Sequence, residues 1–219
     1  MDFQYGSVET EYLKSRDKTL GAVIDAVGHV SRTVYTDLFS AVVHQIIGQQ
    51  ISTKALTTVW GRMCAELGEV TADTVLAVGA DALQSCGITF RKAEYITDFA
   101  RKVQSGEFDL QKIPTMSDAE AISELVKLRG IGVWTAEMIL LFCLQRPDVF
   151  SFDDLAIQRG LRMVYHHRAI SRELFEKYRR RYSPYCSVAS LYLWAVAGGA
   201  VEGMRDYAPK TAKTRKKVN

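Results

Sequence analysis

The chain has 219 residues, of which 47% are hydrophobic and 24% charged, and its formal net charge is +3 at pH 7. These values are ordinary for a globular protein, exclude a wholly disordered chain, and fit one large domain or two small lobes around a real core. No apolar run reaches the ~18 residues that a membrane span needs, and the N-terminus lacks signal-peptide order, so we expect a cytoplasmic protein without membrane contact.

Helical periodicity dominates the first half of the chain. The segment 37–50, "DLFSAVVHQIIGQQ", is predicted to form a helix that ends near Gly48. Ser52 is placed to cap the next helix, and the segment 90–106 predicts another that ends at Gly106. The apolar stripe of the first helix consists of Leu38, Phe39, Val42, Val43, Ile46 and Ile47.

The second half continues the helical pattern. Ser117 and Glu120 form a capping box that opens a helix. Further helices are predicted at 133–144, 154–164, 171–182 and 188–198. No sustained alternation of apolar and polar residues occurs in the sequence, so the predicted fold class is all-α with short connections.

The cysteines and the basic runs carry little information by themselves. No C-x-x-C pair occurs among the four cysteines, so neither a zinc ribbon nor an iron–sulfur cluster is expected. The basic cluster at 177–182 and the basic tail at about 208–219 could attract phosphate backbones. Such runs are equally common on ordinary solvated surfaces.

A short glycine loop separates two of the predicted helices. The loop "LRGIG" spans residues 128–132, and glycine at 130 and 132 permits backbone conformations and close approaches that other residues resist. The N–H groups at the start of the second helix would point outward and could hold a phosphate. A plain turn between two helices is the alternative.

The segment 128–136, "LRGIGVWTA", resembles the hairpin of the helix-hairpin-helix DNA glycosylases. In that superfamily a Gly/Pro-rich loop follows and ends in a catalytic aspartate, and "RPDVFSFDDLAIQR" (146–159) occupies that place. We assign Asp154 rather than Asp153, because Ile157 and Arg159 then match the expected aliphatic and basic positions. The resemblance implies a two-lobed helical domain over 1–219, with a middle lobe at about 36–145 and the N- and C-terminal helices forming the other lobe.

One residue of the hairpin indicates the branch of the superfamily. Members that also cut the strand carry a lysine two positions after the second glycine, where its amine forms a Schiff base, but this chain has Trp134 there. The spacing of 20 residues from Trp134 to Asp154 resembles the 3-methyladenine DNA glycosylase II branch. That branch excises alkylated purines, and the tryptophan belongs to its base pocket. Met138, one helical turn later, stands where the branch has a tyrosine, so the preferred lesion could differ.

The resemblance extends from about Thr36 to Gly199 and omits the mixed α/β N-terminal domain of the longer bacterial form. The segment 44–52 is similar to the one that supplies the wedge residue, and it places Gln50 where the best-known bacterial form has leucine. The segment 183–194 is similar to the C-terminal "P-aromatic-x-S" stretch and places Trp194 at a second pocket position.

The family likeness also implies a set of phosphate and cation contacts. It assigns DNA phosphate binding to Arg129, Gly130, Gly132 and Thr135. Arg91 and Lys92 are further candidates, with an ordinary solvated surface as the equal alternative. A monovalent cation, Na⁺ or K⁺, could sit on the carbonyls of Val126, Leu128 and Ile131. No other cofactor is expected.

The residues singled out have plain structural alternatives. Asp154 could simply cap the helix that follows, although Asp153 is the better candidate for that cap. Trp134 and Trp194 could be ordinary core residues.

The predicted function is that of a monofunctional DNA glycosylase, acting as a monomer on double-stranded DNA and associated with the nucleoid if the source is bacterial. It would flip an alkylated purine of the 3-methyladenine type and hydrolyse its N-glycosidic bond, leaving an abasic site for base excision repair. The alternatives are a glycosylase for deaminated, oxidised or mismatched bases and a non-catalytic helix-hairpin-helix DNA-binding module.

Overall fold

The structure is a computed structural model that describes residues 1–209. Within that range the chain forms eleven α-helices and one 3₁₀ turn, and its only extended pairing is an isolated bridge between Asp2 and Thr33. The all-α prediction is confirmed. The basic tail predicted at about 208–219 falls, from residue 210 onward, outside the described residues.

The helices follow one another with short connections. They are α1 (Ser7–Arg16), α2 (Lys18–Val27), α3 (Leu38–Gly48), α4 (Thr53–Leu67), α5 (Ala72–Ser85), α6 (Phe90–Gln104), α7 (Asp118–Leu125), α8 (Val133–Phe142), α9 (Leu155–Tyr165), α10 (Arg172–Tyr182) and α11 (Cys186–Ala197). The 3₁₀ turn spans Ile113–Thr115 and precedes α7.

The predicted helix boundaries agree well with the observed ones. The first predicted helix, α3, ends at Gly48 as expected, the Ser52 hydroxyl caps α4, and Ser117 forms the predicted capping box with Glu120. The helix predicted to reach residue 144 ends two residues earlier, at Phe142. The sequence patterns gave no bounds for α1, α2 and α5. In α5 the regular pattern is interrupted, because Gly79 has a non-helical backbone (φ +77°) inside it.

The chain divides into two compact units. Unit 1 consists of Met1–Gln4 and Thr33–Arg146, and unit 2 consists of Tyr5–Arg32 together with the chain from Pro147 onward. Unit 1 therefore contains α3 to α8, and unit 2 contains α1, α2 and α9 to α11. Each unit has its own buried apolar core.

The core of unit 1 forms around α3, which packs against α4, α6 and α8. The rings of Phe39 in α3 and Phe99 in α6 are stacked with centroids 4.8 Å apart. The apolar stripe predicted for α3 is buried at Phe39, Val42, Val43, Ile46 and Ile47. This packing fixes the end of α3, from which the candidate wedge turn leaves.

The core of unit 2 depends on a close contact between α9 and α11. A Cβ atom at Gly160 in α9 would lie 2.4 Å from the carbonyl oxygen of Leu193 in α11, so only glycine allows the two backbones to approach this closely. The ring of Phe150, in the loop before α9, stacks on the ring of Phe175 in α10 with centroids 4.3 Å apart. The close contact brings the middle of α9 against the second half of α11.

No helix among residues 1–209 is both long enough and apolar enough to cross a membrane.

Candidate functional site

The hairpin between α7 and α8 requires glycine at one position only. Gly130 has φ +85°, and a Cβ atom there would lie 2.4 Å from Cδ2 of Tyr95. Both the backbone conformation and the tyrosine ring therefore exclude a side chain. Gly132 differs from the sequence expectation, because its backbone is extended (φ −95°), a conformation open to any residue.

Gly132 is nevertheless placed where a side chain would matter. A Cβ atom at Gly132 would meet nothing within 4 Å, so its position faces open space at the start of α8. As the N-cap residue, Gly132 supplies no side chain to the first turn of the helix. No side chain of the N-cap residue accepts a backbone N–H group of that turn, which includes Thr135, and this is the arrangement predicted for an anion site.

Tyr95 organises the basic side chains next to the hairpin. The guanidinium carbon of Arg129 lies 5.2 Å from the centroid of the Tyr95 ring, and that of Arg91 lies 5.5 Å from it. Arg91 Nε also donates a hydrogen bond to the Tyr95 hydroxyl. Both arginines are exposed, so one ring beneath Gly130 positions two cations at the loop. The sequence motifs did not indicate a role for Tyr95, although its place one turn after Arg91 in α6 was a usable signal.

Lys92 does not fit the role of a phosphate contact. Its ammonium group donates to the carbonyl oxygen of Ile47 at 2.9 Å and to that of Gln49 at 2.7 Å. Lys92 is partly buried, and burial lowers the pKa of its amine. The side chain thus holds the C-terminal end of α3 instead of projecting into solvent.

The turn between α3 and α4 carries the candidate wedge. Gln50 is exposed and adopts a left-handed backbone (φ +58°), which is uncommon for a residue other than glycine. The side chain of the preceding residue, Gln49, donates from Nε2 to the carbonyl oxygen of Gly130 at 2.7 Å. The wedge turn and the hairpin are therefore joined within unit 1. No sequence motif indicates this role of Gln49, because the bond joins residues 81 positions apart.

The two candidate pocket residues of α8 differ in exposure. Trp134 is 38% exposed, so the alternative that it is a core residue is wrong, whereas Met138 is 4% exposed and packed inside unit 1. The exposed indole lies at the second position of α8, beside the uncapped turn.

The carbonyls proposed for a monovalent cation lie along the hairpin. Val126 is the C-cap of α7, and the carbonyl oxygen of Leu128 accepts the Ile131 N–H at 3.1 Å. A carbonyl oxygen has a second lone pair, so this bond does not prevent Leu128 from serving as a ligand. Uncharged carbonyl oxygens suit a hard cation such as Na⁺ or K⁺ rather than zinc.

Asp154 is the N-cap of α9, which corrects the expectation that Asp153 takes that place. Asp154 Oδ1 accepts the backbone N–H groups of Ala156 at 2.9 Å and Ile157 at 2.8 Å. The Asp154 side chain is 7% exposed, whereas Asp153 is exposed. The reason is local: the capping geometry requires the residue immediately before Leu155, the first residue of α9.

A third donor reaches the same oxygen from α11. The indole Nε1 of Trp194 donates to Asp154 Oδ1 at 3.1 Å. Trp194, predicted as a pocket aromatic, is partly buried and directly contacts the predicted catalytic carboxylate. Three N–H donors on one oxygen fix the orientation of the carboxylate within unit 2.

Known proteins resemble this chain in sequence and in fold. Residues 43–184 match the family model described as HhH-GPD superfamily base excision DNA repair protein. The crystal structure of DNA-3-methyladenine glycosidase from Bacillus halodurans is 31% identical to the chain, with a TM-score of 0.81 over 94% of this chain and 97% of that one.

Two further proteins are similar to the chain, one in fold and one in sequence. Schizosaccharomyces pombe 3-methyladenine DNA glycosylase (Mag1), solved in complex with abasic DNA, has a TM-score of 0.79 at 23% identity and covers 89% of this chain and 99% of that one. The DNA-3-methyladenine glycosylase of Bacillus subtilis is 27% identical over 173 residues, or 73% of this chain. The chain spans 58% and 57% of the lengths of two curated Bacillus subtilis relatives that it matches.

Proposed function

The chain belongs to the HhH-GPD superfamily of base excision DNA repair proteins, and on that basis we propose that it is a monofunctional DNA glycosylase for alkylated purines. It would displace a base of the 3-methyladenine type from duplex DNA and hydrolyse the N-glycosidic bond, leaving an abasic site. The names of the relatives from Bacillus halodurans and Schizosaccharomyces pombe support this substrate class.

The observation that carries the proposal is the buried carboxylate of Asp154, oriented by three N–H donors on Oδ1. Breaking the glycosidic bond develops positive charge on the sugar. A carboxylate that is already oriented stabilises that charge without reorganising during the reaction. Asp154 would act in this way and could also orient the attacking water.

The aromatic residues would select the base. Alkylation at a ring nitrogen gives a purine a positive charge, which makes the base a good leaving group. An electron-rich ring binds such a cation better than a neutral base, by about 0.5–2 kcal/mol. Trp134, which is 38% exposed, is the ring proposed to stack on the base.

The remaining contacts would hold the DNA. The uncapped start of α8 at Gly132 and Thr135, together with Gly130 and Arg129, would bind a backbone phosphate without reading sequence. A monovalent cation on the carbonyls of Val126, Leu128 and Ile131 would add positive charge there. Gln50 would occupy the space that the displaced base leaves. The monomeric state stays a prediction.

The proposal is tested by base release from DNA methylated at purines, with free bases separated by chromatography. Asp154→Asn keeps a side-chain oxygen that can cap α9, so the variant should fold. We expect it to bind DNA with an affinity within a factor of about 2 of the parent, because the hairpin contacts are untouched. We expect it to release base at least ~100-fold more slowly, because the charge beside the sugar is lost.

Asp153→Asn is the matched control, since it makes the same substitution one residue away on an exposed side chain, and it should release base at the parent rate. Base release by Asp154→Asn at the parent rate would contradict the mechanism. Reduction with borohydride should trap no covalent adduct, because Trp134 occupies the position where a Schiff-base lysine would stand. A trapped adduct would indicate a lyase instead.

A further inference from the structure

The turn that carries Gln50 is held by two side chains that sequence analysis did not connect with it. Lys92 donates to two carbonyl oxygens. One belongs to Ile47 in the last turn of α3, and the other belongs to Gln49, the first residue of the turn. Gln49 in turn donates from its side chain to the carbonyl oxygen of Gly130 in the hairpin. The contacts form a continuous chain from α6 through the wedge turn to the hairpin.

The hairpin end of this chain of contacts is itself rigid. Gly130 is confined by its left-handed backbone and by the Tyr95 ring, against which any side chain would collide. Its carbonyl oxygen is therefore a fixed acceptor for Gln49. Because Tyr95 and Lys92 both belong to α6, one helix supports the hairpin and the wedge turn together.

The conformation of Gln50 is the feature that needs this support. A left-handed backbone is unfavourable for a residue other than glycine and persists only where neighbouring contacts impose it. The contacts on either side of Gln50 are the Gln49 bonds described above and the Ser52 cap of α4.

We propose that Gln49 and Lys92 are positioning residues, which tie the Gln50 turn to the hairpin so that phosphate binding places the wedge for base displacement. The inference rests on the proposed function. Lys92 acts by donating to backbone carbonyls of the protein and not by contacting a DNA phosphate. Replacing Lys92 should therefore leave the salt dependence of DNA binding unchanged.

The experiment compares two substrates in single-turnover base release. In one duplex 7-methylguanine is paired with cytosine, and in the other it is unpaired in a one-nucleotide bulge. Displacement of the paired base needs the wedge, whereas an unpaired base leaves the helix more easily. Gln49→Leu and Lys92→Met each remove the donors, and Lys112→Met removes an exposed lysine elsewhere in unit 1 as a control.

We expect Gln49→Leu and Lys92→Met to slow release of the paired base by about 10-fold, the effect of losing one or two hydrogen bonds. Release of the unpaired base should stay within a factor of about 2 of the parent, since the wedge is not needed there. Lys92→Arg can still donate to two carbonyls, so it should recover most of the rate at which the paired base is released. Thermal unfolding identifies any variant that fails to fold. If Lys92→Met does not fold, the release rates of Gln49→Leu and Lys92→Arg test the inference.

Equal slowing on both substrates would overturn the inference, because it would place the two residues in folding or catalysis in general. Unchanged release of the paired base by folded Gln49→Leu would also overturn it. Failure of the parent to release 7-methylguanine from either duplex would instead count against the proposed function. The two failures are therefore distinguishable.

Discussion

The indole nitrogen of Trp194 lies 3.1 Å from Oδ1 of Asp154 and joins α11 to the first turn of α9. The same oxygen already accepts two backbone N–H groups of that turn. A tryptophan expected to contact the substrate base therefore also orients the carboxylate on which the proposed chemistry depends.

Replacing Trp194 by phenylalanine keeps a ring and removes the donor to Asp154. We expect the single-turnover rate of base release to fall by about 10-fold, the usual effect of losing one hydrogen bond to a charged group. The affinity for undamaged DNA should not change, because the hairpin contacts are intact. Trp60→Phe makes the same substitution in unit 1, at a ring that packs against His44, and should leave the rate unchanged. A parental rate in Trp194→Phe would show that the bond does not matter.

Replacing Trp134 by leucine removes the proposed stacking surface. The loss should be greater for 7-methylguanine, a cation, than for hypoxanthine, a neutral base, because only the cation gains about 0.5–2 kcal/mol from the ring. We expect a 2- to 30-fold fall in release of 7-methylguanine relative to hypoxanthine. The measurement is the ratio of the two release rates in parent and variant. An unchanged ratio would contradict selection by charge.

Alanine at the two hairpin glycines should separate folding from DNA binding. Gly130→Ala places a Cβ atom against the Tyr95 ring and forces a left-handed alanine, so we expect a loss of about 2 kcal/mol in the free energy of unfolding. Gly132→Ala meets open space with an extended backbone and should leave the free energy of unfolding nearly unchanged.

Gly132→Ala should nevertheless weaken DNA binding, because its methyl group occupies the space where a phosphate would approach. Chemical denaturation and fluorescence anisotropy with duplex DNA measure the two quantities. Gly132→Ala binding DNA as tightly as the parent would argue against a phosphate at this helix start.

Gly160→Ala should destabilise unit 2 and disturb the carboxylate. The added Cβ atom would lie 2.4 Å from the Leu193 carbonyl oxygen, so α9 and α11 must separate at a cost of about 2 kcal/mol. Because Trp194 follows Leu193, that separation should also lengthen its bond to Asp154 and slow base release at temperatures where the variant is folded. Gly61 lies in α4, and a Cβ atom there would meet nothing within 4 Å. Gly61→Ala should therefore raise the free energy of unfolding by up to about 1 kcal/mol. Thermal unfolding of both variants measures the contrast.

His44 should make stability depend on pH. Burial lowers the pKa of His44 to about 4, and its ring lies beside the Tyr35 hydroxyl and the Trp60 ring. The folded state therefore keeps the imidazole neutral while the unfolded state takes up a proton below pH ~6.5. The contribution of His44 to stability is therefore full above that pH and is lost as the pH decreases from about 6.5 towards 4.

His44→Gln removes the titrating group. Between pH 7 and pH 4.5 we expect the free energy of unfolding of the parent to fall by roughly 2 kcal/mol more than that of the variant, after allowance for partial solvent exposure of His44. Urea denaturation at both pH values gives the difference. Parallel losses in the two proteins would show that His44 does not contribute.

Much of the fold was predictable, because helices form from local patterns. Gly48 ended α3, Ser52 and Ser117 capped their helices, and the all-α class followed from periodicity. The hairpin motif likewise gave the position of Trp134, whose exposure agrees with a functional surface. The choice of Asp153 as the helix cap was wrong, since two adjacent aspartates offer the same chemistry and only the helix start distinguishes them.

The sequence by itself determined the local features of this protein: its helices, its glycine hairpin and its family, because each is encoded in residues a few positions apart. Only the tertiary structure decided which side chains meet. It showed that Lys92 caps α3 instead of facing solvent, that Gln49 bonds to Gly130, and that Trp194 bonds to Asp154. These contacts join residues about 40 to 80 positions apart, and their geometry depends on how whole helices pack, which no local pattern specifies.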